Sequence, residues 1–146
     1  MKTFLLCVLL ACGLQAAAQV SPALKSTVVA VQTPDSAVAA LQKFGALLVQ
    51  RGYTVDKFDK QFLTLTTTPK LVAQRDNPTL SVRVVATPGA NSTLRVNGEY
   101  KATILNVPLT EPAQYTGKNG SCSTACFKEL QGAALAYPAG KVSYTK

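Results

Sequence analysis

Histidine is absent from this chain, as is tryptophan, and only seven residues are acidic. Without histidine there is no commonest general base, no Ser-His or Cys-His nucleophile pair, and no His-containing zinc or haem ligation. The few carboxylates are scattered. Asp35 fits helix-start chemistry, Asp56 and Asp59 fall in a turn interleaved with Lys57 and Lys60, and Glu99, Glu111 and Glu129 stand apart, so no acid pair is nominated for catalysis. Beyond the first residues no apolar run approaches the ~20 needed to cross a bilayer as a helix. No internal repeat or P-loop occurs, and no cofactor is expected.

What is present begins with a secretory pattern. Lys2 is a positive n-region, Phe4 to Leu14 an apolar stretch, and Ala16-Ala17-Ala18 a small-residue cleavage site before Gln19. Residues 1–18 are therefore expected to be a cleaved signal peptide, residues 19–26 a flexible tail, and residues 27–146 one domain. Leu9-Leu10-Ala11-Cys12-Gly13 offers a competing processing site, a lipobox in which Cys12 would be lipidated. Leu10 departs from that pattern, and ordinary cleavage at the later site is the expectation. The protein is read as exported, periplasmic or secreted, with an outer-membrane lipoprotein as the alternative.

Lys2 is the only charged residue in the first 18, so 14 Lys and Arg remain against 7 Asp and Glu, a net of +7. Such an excess favours anionic surfaces.

The periodicities predict an α+β domain. Thr27–Gln32 reads as a strand. Thr33-Pro34-Asp35-Ser36 reads as a helix start, with Thr33 as cap and Pro34 in the first helical position. Ala37, Val38, Leu41, Phe44, Gly45 and Leu48 form an apolar stripe, and Gly52 terminates the helix. Strands follow at Tyr53–Phe58 and Gln61–Thr68, the second ended by Pro69, and Lys70–Pro78 is a polar connection. Thr79–Ala86 and Thr93–Leu105 alternate as a hairpin around the Thr87–Ser92 loop, with Leu80, Val82, Val84, Leu94, Val96, Tyr100, Ala102 and Ile104 inward. Gly98 marks a bulge or coil. An irregular stretch runs from Pro108 to Ser121, a second helix from Cys122 to Ala136, and Val142–Tyr144 is a frayed last strand. The expected architecture is an antiparallel sheet of four to five strands with two helices on one face, in the order β-α-β-β-β-β-α.

Residues 39–67 carry a further pattern: a helix over Leu41–Gln50, Gly52-Tyr53, a strand at Val55, the acidic-basic turn Asp59-Lys60, and the Thr-rich Leu63–Thr67. This resembles small domains of bacterial envelope lipoproteins, including BamC-like accessory subunits of outer-membrane protein assembly. The resemblance implies an envelope-associated, non-enzymatic domain and assigns no binding residues.

Two chemical features remain. Cys122 and Cys126 have a C-x₃-C spacing that matches neither thioredoxin-like nor c-type haem motifs. In an oxidising compartment they are expected to form a disulfide that distorts the first turn of the last helix. The alternative is a thiol redox or metal carrier, because a helix N-terminus lowers thiol pKa. Arg83, Arg95 and Lys101 fall on the outward face of the hairpin, with Arg75 just before it and Glu99 among them, a surface for an anionic ligand. No aromatic interleaves these cations, so nucleic-acid binding is not expected. The reading is an exported, non-enzymatic binding or accessory module of the cell envelope, for a protein, glycan or anionic lipid. A secreted hydrolase inhibitor is the rival, although the cystatin signature is missing.

Overall fold

The computed structural model describes residues 20–146. The expected signal peptide and Cys12 lie outside these residues. The chain forms β1 (Val28–Thr33), α1 (Ala37–Gln50), β2 (Val55–Asp59), β3 (Thr64–Thr67), β4 (Lys70–Leu71), β5 (Thr79–Thr87), β6 (Ser92–Ile104), β7 (Val107–Pro112), α2 (Cys122–Leu135) and β8 (Lys141–Thr145). All pairings are antiparallel, in the order β2-β3-β5-β6-β1-β8, with β4 on β5 and β7 on β6. The class is α+β with two helices, as expected, but the sheet has eight strands rather than four or five, and the element order changes accordingly. Neither helix is long and apolar enough to cross a membrane.

The extra strands sit where proline had argued against them. Pro69 splits what would be one strand into β3 and β4, and the gap is bridged by Thr67, whose Oγ1 accepts from the Val82 N–H at 3.0 Å. Pro108 and Pro112 lie in β7, which pairs on one side only, and an edge strand tolerates the missing donor. The last strand, β8, is regular and pairs along β1 from Val28↔Thr145 to Gln32↔Lys141.

Helix α1 begins three residues later than the proline signal suggested. Thr33 ends β1 and is buried, and its Oγ1 accepts from the Asp35 N–H at 3.2 Å. The cap is Ser36, whose Oγ accepts from Ala39 N at 3.4 Å. Gly52, at φ +84°, closes the helix as expected.

Both helices lie against the same side of the sheet, in one apolar core. Leu41, Phe44 and Leu48 of α1 and Phe127 and Leu130 of α2 meet Val29, Val31, Leu65, Leu80, Val82, Val84, Leu94 and Val96, all essentially inaccessible. Gly98 proves to be a regular member of β6, paired with Val82. A Cβ there would lie 2.7 Å from Leu80 Cδ1 and 3.0 Å from the Ser81 carbonyl, so the missing side chain admits the helix layer.

The β6–β7 hairpin turns on Leu105 (φ 51°) and Asn106 (φ 64°). Positive φ at both positions is the demand of a type I′ turn, usually met by Asn and Gly. Leucine there carries a cost of roughly 1–2 kcal/mol. Ile104, placed inward by the alternation, is exposed, because the hairpin has already run past the core at Ala102.

Candidate functional site

With the helices on one side, the other side of the sheet is bare among the described residues. The register defines it. Arg83 of β5 is opposite Thr66 of β3 and Asn97 of β6, and the next rows are Thr64–Val85–Arg95–Ala30–Ser143 on one side and Ser81–Glu99 on the other. Arg83 and Arg95 are thus diagonal neighbours, about 7–8 Å apart at the backbone, with Asn97 between them. Thr, Ser and Asn side chains surround them, and Val28, Ala30 and Val85 supply a half-buried apolar floor. An antiparallel sheet can leave one face to water, and this one does.

Two open depressions mark the face and share Arg83 and Asn97. One, of about 450 Å³, is lined by Val28, Arg83, Val85, Thr87, Arg95 and Asn97. The other, of about 340 Å³, includes Thr66, Ser81 and Glu99.

The cations differ in what they are free to do. Lys43 is paired with Asp35 at 2.6 Å. Lys70 lies 4.0 Å from Glu129, donates to the Arg51 carbonyl at 2.6 Å and sits 4.6 Å from the Tyr53 ring centroid, a role internal to the fold. Arg83, Arg95 and Lys101 are exposed and have no acidic partner within salt-bridge distance among the described residues. Glu99 shares their face without pairing to them. Arg75 is elsewhere: it lies in the β4–β5 loop, where its carbonyl accepts from the Cys122 thiol at 3.4 Å.

No family model and no curated protein matches this chain. The envelope-lipoprotein pattern of residues 39–67 maps onto α1, β2 and β3, away from the Arg83–Arg95 pair except at Thr64 and Thr66.

The thiols stand differently from expectation. Cys122 and Cys126 are free and buried, and the expected bridge is not formed. The reason lies in α2, which is regular from Cys122 onward, and residues four apart on a helix do not meet disulfide geometry. Burial also overrides the helix N-terminus. It raises the Cys122 thiol and pushes Cys126 up to about 12, with the neighbouring Cys122 and Glu129 acting in the same direction. The lowered pKa expected of a redox or soft-metal site is therefore absent from both. No group of three or more His, Cys, Asp or Glu stands together to hold a metal among the described residues.

The bare face can hold an anion or hydrogen-bonding chain by two guanidinium forks and a row of amides and hydroxyls. Sequence alternation had marked Arg83, Arg95 and Lys101. The same alternation put Ser81 and Asn97 on that outward face, but it missed Thr66, whose place beside Arg83 depends on which strands pair and in what register.

Proposed function

We propose that this protein is an exported, non-enzymatic binding or accessory module of the bacterial cell envelope, which lays an anionic or polyhydroxyl partner across its bare sheet face. The observation that carries this reading is the diagonal Arg83–Arg95 pair, unpartnered on a surface of Thr, Ser and Asn. Two uncompensated guanidiniums side by side repel each other and invite a shared anion. The open depressions suit an extended ligand better than an enclosed small molecule. Export is supported by the leader pattern, and an anionic partner by the +7 charge that follows it.

The test joins amide NMR with mass spectrometry. Titration of the chain lacking residues 1–18 with peptidoglycan fragments, lipopolysaccharide oligosaccharide and acidic envelope polymers should shift Ser81, Arg83, Arg95 and Asn97. Arg83→Glu with Arg95→Glu should abolish those shifts while leaving the remaining spectrum intact. Shifts confined to other surfaces, or substrate turnover lost on a single side-chain substitution, would falsify the reading. Intact mass from the native host should show a start at Gln19 or an acylated Cys12, and an unprocessed chain would overturn export.

A further inference from the structure

A second surface stands apart from the sheet face. The β5 strand accompanies β6 only as far as Thr79↔Lys101, so the pairs Ala102↔Leu109, Thr103↔Pro108 and Ile104↔Val107 form a two-stranded ribbon with no third strand among the described residues. Such a ribbon gains little stability from its own pairing. Its tip is nevertheless apolar: Ile104 is 38% exposed, Val107 62% and Leu105 93%. Leu105 also occupies a left-handed backbone position where glycine or asparagine is the ordinary choice. A side chain that is both strained and solvated is not accounted for by the fold, and such an outlier argues for a contact outside it.

We propose that the β6–β7 ribbon is a wedge that seats the protein on an anionic lipid bilayer, with Leu105 and its neighbours entering the interface. Three observations choose this occupant. First, Pro108 and Pro112 deprive the outer edge of β7 of donors, which disfavours strand addition by a protein partner and leaves the tip side chains as the means of contact. Second, Lys101 at the ribbon's base is exposed and holds no acidic partner within salt-bridge distance among the described residues. The opposing acids at the ribbon's base are Asp76, which lines the groove beside Lys101 and Leu109, and Glu99 and Glu111 on β6 and β7. Third, the spacing fits: Lys101 is four residues behind Leu105, about 13 Å at ~3.3 Å per residue. An insertion of roughly 5–10 Å brings its ammonium to the phosphate level. The chain also enters the sheet from this side, since β1 runs antiparallel to β6 and away from the ribbon.

The wedge goes beyond the sheet-face reading and is tested separately from it. The chain lacking residues 1–18, free of the apolar leader and retaining every described element, is sedimented with vesicles of phosphatidylglycerol and phosphatidylcholine in equal parts, and with phosphatidylcholine alone. Binding is expected to the mixed vesicles and to fall by about tenfold with Leu105→Gly, since most of the inserted apolar area is lost. The same variant should melt no lower than the wild type, because glycine relieves the positive φ. Asn106→Gly keeps the leucine and should bind as wild type. Arg83→Gln with Arg95→Gln should lose less than Leu105→Gly. Absence of binding to both vesicles, undiminished binding of Leu105→Gly, or a greater loss in the arginine variant overturns the wedge; the last of these would assign lipid binding to the sheet face instead.

Discussion

Tyr137, just beyond the last turn of α2, donates its phenolic proton to Asp35 Oδ2 at 2.6 Å, while Lys43 of α1 holds the other carboxylate oxygen at the same distance. The ring of Tyr137 stacks on Phe44, with centroids 6.2 Å apart. One short acid at the start of α1 thereby fastens the end of α2 across 102 residues of chain. An i,i+8 ion pair and a long-range hydrogen bond share a single carboxylate.

This arrangement gives stability a pH signature. Lys43, and next Tyr137, hold the Asp35 carboxyl below its ordinary 3.8. A depressed acid stabilises the fold above its unfolded pKa, and that contribution fades as pH falls through the lower folded value. Asp35→Asn should therefore lower Tm at pH 7, and the gap from wild type should close as pH drops below 3.8. Tyr137 acts at the other end: burial, then Asp35, pushes it up to about 12. Its neutral form stabilises the fold below the unfolded value near ~10 and is lost as pH rises toward 12. Tyr137→Phe should flatten that alkaline limb in calorimetric scans.

Gly98→Ala tests the close approach of helix layer and sheet. The added methyl meets Leu80 Cδ1 at 2.7 Å and Leu130 Cδ1 at 3.4 Å, with the Ser81 carbonyl at 3.0 Å as a wall that does not yield. A loss of about 1–3 kcal/mol is expected in urea denaturation. An unchanged midpoint would mean that β6 shifts away from α2 at no cost.

Thiol titration tests the placement of the cysteines. Both are buried and Cys126 is pushed up to about 12, so little thiolate is present at neutral pH. Ellman's reagent should react slowly with the native protein and stoichiometrically with both after denaturation. Rapid native labelling of Cys126 would show that the first turn of α2 opens readily. A native mass two hydrogens below the reduced form would show that oxidation reshapes that turn.

Much of this fold was legible in local pattern. Leu41, Phe44 and Leu48 announced α1, Gly52 its end, and the alternation from Thr79 to Ala102 announced β5 and β6, because apolar spacing and terminators act within a few residues. Two prolines misled. Pro69 ends β3 as expected, but Pro108 and Pro112 stand inside β7, and only the sheet's outline reveals that an edge can accept them. The helix cap fell to Ser36 because Thr33 was already committed to β1 and Asp35 to Lys43 and Tyr137.

The sequence by itself determined the class, the outward placement of Arg83, Arg95 and Lys101, and the lack of histidine chemistry, since each depends on residue type or on a period of two or four. Tertiary structure alone decided which side of the sheet the helices cover, which residues stand beside Arg83, and that the ribbon bearing Leu105 outruns its third strand. Those outcomes are set by pairing between segments distant in sequence, where register is chosen by the total burial of the core rather than by any short stretch of chain.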